Sequence, residues 1–232
     1  MIFDDEDAKG SFQRLVRNSP FAFLAKKVIV CEGKTEEGVL RGIDSFWQES
    51  EKRGVWSYGA VSICGEGDAS FDVVKQFKGL SYKTLWWGDS DKESSKVSKD
   101  KLRELGIPVI EWEGKSNIEQ RLFSDLPWEG VKELISLAVE LYGQQSIISQ
   151  VKTSYANAPD NICEWVESQD LKNALATAAH KKEWFKNITN GEKVGDITAK
   201  YWSNIADKDL CKKIQIIKTW VETDEYRGTA TS

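Results

Sequence analysis

The chain has 232 residues, 40% of them in the hydrophobic set and 30% charged, enough to bury one sizeable core or two smaller ones. Thirty-two basic against thirty-seven acidic side chains leave a formal net charge of −5, which does not resemble a generic basic nucleic-acid binder. No apolar run reaches the roughly eighteen residues of a membrane span, the start MIFDDEDAKGSF is acidic where a secretory signal would be basic, and the four cysteines form no CxxC pair, which disfavours membrane insertion, export, a zinc knuckle and a disulfide framework. A reduced cytoplasmic setting is the expectation.

Residues 1–26 read as an N-terminal extension, with a short polar helix over Asp4 to Asn18. From Lys27 to Asp125 strand-like and helix-like pieces alternate, the rhythm of a parallel α/β sheet. The first strand candidate is KKVIVCEG, whose run Val28, Ile29, Val30 and Cys31 suits a strand covered on both faces. A helix is predicted over Thr35 to Arg53, with Val39, Leu40, Ile43, Phe46 and Trp47 at the spacing of one buried face and Gly54 as its stop. A second strand at Ala60 to Cys64 leads through the loop GEGDAS into a helix with Phe71, Val74 and Phe77 inward. The third strand is KTLWWGDSD, followed by a charged helix with Val97, Leu102 and Leu105, a stop at Gly106, a fourth strand IPVIEW, and a turn GKSN that opens IEQRLF. Four such units make a compact sheet of the doubly wound kind.

Beyond Pro127 the strand signals vanish. Val131, Leu134, Ile135, Ala138 and Leu141 make one helical stripe, and Leu210, Cys211, Ile214, Ile217 and Val221 another. Residues 126–232 therefore read as an α-helical lobe packed on the sheet, with a frayed tail YRGTATS.

Functional groups of an open parallel sheet collect where strands turn into helices. In CEGKTEE, Glu32 sits at a strand exit, Gly33 allows a tight turn, and Glu36 lies four residues on. In GDSD, Asp89 and Asp91 are two apart, so an extended backbone aims both the same way. Four convergent carboxylates suit a hard divalent cation, which takes oxygen ligands and shares them with substrate phosphates. Without a cation or basic partners they would repel one another. Once loaded, such a cluster becomes locally positive, so the acidic net charge does not exclude nucleic acid.

VIVCEGKTEEGVL followed by a strand ending in DSD resembles the TOPRIM domain, and AFLAKKVIVCEGKTEE is most similar to its OLD (overcoming lysogenization defect) nuclease branch, over Phe21 to about Asp125. The resemblance implies a nuclease that uses magnesium or manganese in a two-metal cleavage of phosphodiester bonds, DNA more than RNA, in anti-phage defence. It further implies Glu119 in SNIEQRLF as an additional acidic ligand. It asks for a lysine from the helical region, Lys193 in NGEKVGDI or else Lys186 in WFKN. OLD proteins also carry an ABC-type ATPase, whereas GxxxxGK[ST] occurs nowhere here, so the ATPase is expected on another stretch of chain or another subunit. Cys31 and the pair Trp86 and Trp87 depart from the plain aliphatics expected at those places. Self-association is left open.

The competing readings are a TOPRIM ribonuclease or primase, a non-catalytic acidic module that docks a basic ATPase surface, and a phosphoacceptor domain, for which the required lysine and hydroxyl at later strand ends are not both found. Trp47, Trp86 and Trp165 fall in apolar runs and read as core rather than as base-stacking groups. GEGDAS reads as a turn before a phosphate cradle, and His180, the sole imidazole, as a helix-end or surface residue.

Overall fold

The computed structural model describes residues 19–92 and 96–223, together with Gly10, Gln13, Val16, Arg17 and Glu225. Those four N-terminal positions are helical; the rest of the expected lead, and the tail YRGTATS, lie outside the described residues.

Four strands, β1 (Lys27–Cys31), β2 (Ala60–Cys64), β3 (Lys83–Gly88) and β4 (Val109–Glu111), form one parallel sheet in the order β2-β1-β3-β4. The connecting helices are α1 (Lys34–Glu51), α2 (Ser70–Gly79) and α3 (Lys96–Glu104). A helical half follows: α4 (Ile118–Asp125), α5 (Trp128–Tyr142), α6 (Gln144–Lys152), α7 (Gln169–Lys181), α8 (Ile188–Lys200) and α9 (Asp209–Thr223). The molecule is thus α/β, a parallel sheet flanked by helices with a C-terminal α-helical lobe. No helix among the described residues is long and apolar enough to cross a membrane.

All five residues of β1 are buried, as a continuous apolar run requires of a central strand. Alternate side chains serve opposite faces. Val28, Val30, Ile63, Trp86 and Val109 pack with Phe71, Val74 and Phe77 of α2 and Leu102 of α3. Ile29, Cys31, Leu85, Trp87 and Ile110 pack with α1 and with the lobe in one unbroken core. This alternation accounts for the tryptophan pair: Trp86 stacks on Phe71 at 5.1 Å and donates to Ser70 Oγ at 2.8 Å, while Trp87 meets Trp112 edge-on across the other face. Trp47, Trp86 and Trp165 are buried, as expected.

The register of buried positions differs from expectation in a few places. Val97 and Leu105 are exposed, so Leu102 alone of that predicted stripe anchors α3; a short charged helix on the rim of a sheet needs only one apolar anchor. Phe46 and Leu141 are partly buried. Lys52, with φ 62°, closes α1 in place of Gly54. Asn190 and Gly191 lie inside α8.

The lobe is fastened to the sheet through glycines. Gly38 and Gly42 of α1 face Gly191 and Gly195 of α8, four residues apart on each helix. A Cβ on Gly38 would stand 2.6 Å from Gly191 Cα, and one on Gly42 2.9 Å from Gly195 Cα, with backbone carbonyls closer still. The helices touch backbone to backbone, and no side chain fits between them. Gly42→Ala, although favourable for an isolated helix, should therefore lower the unfolding free energy by about 1–3 kcal/mol through overpacking. Urea unfolding would show this as a lower midpoint, and an unchanged midpoint would contradict the backbone contact.

Candidate functional site

The chain leaves β1 for α1 and β2, then crosses back to lay β3 on the other side of β1, so the strand order reverses between β1 and β3. Such a switch point opens a crevice at the carboxyl ends of the two strands. Glu32 and Asp89, which follow β1 and β3, face each other there. Glu32 donates its backbone N–H to Trp87 O at 2.8 Å, its Oε2 accepts from Asp89 N at 2.9 Å, and its carbonyl accepts from Gly67 N at 2.7 Å. Two glycines make room for carboxylates. A Cβ on Gly88 would lie 2.6 Å from that of Glu32, and one on Gly33 2.8 Å from Glu36 Oε2. Gly33 itself is extended, so it serves close approach rather than an unusual dihedral.

Glu36 enters on the first turn of α1 and is buried. Asp89 Oδ1 accepts from Ile118 N at 3.0 Å and from Trp112 Nε1 at 3.2 Å, which ties the end of β3 to the start of α4. Asn117 caps that helix in a reciprocal box with Gln120 and also donates to Asp91 Oδ2 at 3.4 Å. Asp91 Oδ1 is buried with no hydrogen-bond partner. Glu119, in the first turn of α4, is buried and meets His180 Nδ1 at 3.2 Å. The positive end of α4 faces these anions, which offsets part of their repulsion.

The charges act on one another. Burial first, and then the charges of Glu36, Glu32, Glu119 and Asp91, holds the Asp89 carboxyl well above its usual range. Burial, followed by the charges of Glu119 and Glu32, pushes Glu36 up to about 8 against opposing backbone hydrogen bonds. All five predicted acidic residues therefore stand within electrostatic reach at one edge of the sheet. Their oxygens are not drawn into a tight knot: among the described residues no three Asp, Glu, His or Cys side chains stand close enough to hold one metal ion.

Compared with family models, with curated proteins and with solved structures, the chain matches none.

The lysines fall elsewhere. Lys193 lies on α8, half exposed, with its ammonium 3.0 Å from Glu140 of α5, and no contact joins it to the five carboxylates among the described residues. Lys186 pairs with Glu183 at 2.7 Å, and its charge bears on His180, whose ring meets Glu119. The cations at the site are ones sequence reasoning passed over. Lys92 Nζ stands 3.2 Å from Glu32 Oε1; burial pushes its pKa down, but the charge and hydrogen bond of Glu32 outweigh this and raise it. Lys99, buried on α3, donates to Asp89 O and to Glu111 at 2.8 Å. Lys92 directly follows DSD and could have been noticed there. His180 carried no such signal, being 61 residues from its partner. It does sit at the end of α7, as expected, and its pKa is raised first by the hydrogen bond to Glu119. The GEGDAS glycines serve the turn: Gly65 N and Gly67 N donate to Cys31 O and Glu32 O.

An acid whose pKa stands higher folded than unfolded stabilises the fold while protonated, and that contribution fades as pH rises from the unfolded value through the folded one. With chelator present, thermal stability should therefore fall as pH rises from 4.5 to about 8, where Glu36 is forced to ionise. Glu36→Gln should flatten the slope in a melting series, and an equally steep slope in that variant would contradict the burial of the charge.

Proposed function

We propose that the protein is a divalent-metal-dependent nuclease of TOPRIM type, cleaving phosphodiester bonds of nucleic acid with magnesium or manganese. The observation that carries the reading is the meeting of Glu32, Glu36, Asp89, Asp91 and Glu119, from three separate segments, at the switch point of a parallel sheet. Their donors are hard oxygens, as such cations prefer. The repulsion that raises Asp89 and Glu36, and the orphaned Asp91 Oδ1, are what a doubly charged ion would relieve. Glu32, Asp89 and Asp91 would have to draw closer than they stand to hold one ion, and Glu36 and Glu119 would hold a second. Bound ions would supply activation of water and charge for the leaving oxygen.

Around them the chain's own groups do the positioning. Ile118 N and Trp112 Nε1 orient Asp89, Asn117 orients Asp91, and the backbone of Asp89 orients Glu32. DNA is the favoured substrate, with an ABC-type ATPase as partner in phage defence, both on the resemblance of the Glu-Gly and Asp-Ser-Asp motifs alone.

A second reading has an observation in its favour. Because among the described residues no three ligating groups converge as they stand, the acidic crevice also suits docking of a basic surface on a partner, with no chemistry. One experiment separates the two. Plasmid nicking in manganese should be reduced at least a hundredfold, on the order of the loss expected when charge stabilisation of a transition state is removed, by Asp89→Asn and by Glu32→Gln. Undiminished nicking in both variants would remove the nuclease proposal, and wild-type protein that neither nicks nor gives heat with manganese in calorimetry would favour docking.

A further inference from the structure

Among the described residues β2 is an edge strand, paired with β1 alone. Gly59 O accepts from Lys27 N and Cys31 O from Gly65 N, so the odd-numbered residues of β2 turn their main chain to β1. Ala60, Ser62 and Cys64 turn theirs outward. At Cys64 the outward main chain already bonds the Glu37 carboxylate. Ser62 instead lines a cavity of about 380 Å³, between α1 and the short 3-10 helices Pro20–Leu24 and Val55–Tyr58. The residue is 7% exposed, yet among the described residues no hydrogen bond reaches its hydroxyl or its outward main chain. An N–H, a C=O and a hydroxyl so nearly closed off from solvent are offered to whatever fills the cavity.

The walls narrow the chemistry of that occupant. Phe21 and Trp56 line the cavity while 63% and 53% exposed, so their rings are open to a flat partner. The two charged residues of the lining are both engaged. Arg41 Nη2 lies 2.5 Å from Glu37 and its Nη1 3.6 Å from Glu192. Asp44 accepts from Val55 N at 2.7 Å and from Gln48 Nε2 at 2.9 Å. The cavity therefore has aromatic faces and a donor beside an acceptor, with no uncommitted charge for a phosphate or an ammonium. An added peptide strand would need a longer free edge, because Cys64 is already bonded and only Ala60 and Ser62 remain. A planar, uncharged heterocycle with a donor and an acceptor on its rim meets all of these conditions, and the volume falls in the roughly 300–1,000 Å³ range of small-molecule sites.

We propose that the cavity beside Ser62 binds a single nucleobase, its rim paired with the main chain of Ser62 and its face laid on Trp56. Unstacked bases expose in-plane donors and acceptors and stack on aromatic side chains, which is the complement of these walls. A free nucleoside and an unstacked base of a strand carry the same chemistry. The site uses none of the five carboxylates, so it stands apart from the nuclease reading.

The test is a titration of the nitrogen-15-labelled full chain, in chelator, with adenosine, guanosine, cytidine and uridine in turn, and then with a single-stranded oligodeoxynucleotide of mixed sequence. At least one nucleoside, or the strand, should shift the Ser62 amide resonance and slow its exchange with solvent. Saturation by a nucleoside assigns the site to free nucleosides, and saturation by the strand alone assigns it to a base of a nucleic acid. Trp56→Ala, at a half-exposed position that leaves the fold intact, should weaken binding about tenfold, the scale of one lost base–aromatic stack. A nucleoside 5′-monophosphate should bind no more tightly than its nucleoside, since no free cation awaits the phosphate. The proposal is overturned if neither nucleosides nor strand move the Ser62 amide, if Trp56→Ala binds as well as wild type, or if an extended hexapeptide moves that amide where the bases do not. Each of those results leaves the nicking experiment untouched.

Discussion

The parallel pairing of β1 with β3 is the contact on which the site depends. Val30 lies beside Trp86 and Cys31 beside Trp87, so the next residues, Glu32 and the Gly-Asp step, leave the sheet together. The backbone of Asp89 then donates to Glu32, and Gly88 leaves the space through which that carboxylate reaches. If β1 and β2 exchanged places, β2 would lie between β1 and β3, and the acidic groups at their ends would not meet. The meeting of Glu32 with Asp89 follows from this one neighbour relation.

The second constraint is the glycine contact between α1 and α8. Because no side chain separates these helices, the lobe comes to rest directly against the helix whose first turn carries Glu36. The lobe then does more than cover the sheet. Phe185 O accepts from Thr35 Oγ1 beside that turn, and α7 carries His180 to Glu119. The site is assembled by both halves, sharing the core that runs from Ile29 and Leu85 through Leu134 to Ile217.

These constraints leave the molecule with an electrostatic imbalance. Burial and mutual repulsion raise Glu36 and Asp89, while Lys92 and the start of α4 compensate only part of the charge, and His180 adds to this when it is protonated. A fold selected for stability alone would fill such a crevice with apolar groups or close it with arginine pairs. Buried, mutually repelling carboxylates at a switch point make the crevice the candidate site of the molecule.

The sequence by itself determined the class of the fold and the identity of the acids. The run Val28 to Cys31, the spacing of Val39, Leu40 and Ile43, and the later stripes each report burial through nearest neighbours along the chain, and that information is local. Glu32 and Asp89 were legible for the same reason, being acids placed just past apolar runs. Only the tertiary structure decided what those acids touch. The order β2-β1-β3-β4, the facing glycines of α1 and α8, the place of Lys193 on Glu140, and the arrival of His180 at Glu119 all join residues far apart in the chain. Such pairings leave no periodic trace. They are set by which packing of the whole chain buries its apolar faces with the fewest unpaired polar groups, and that minimum belongs to the folded molecule rather than to any segment of it.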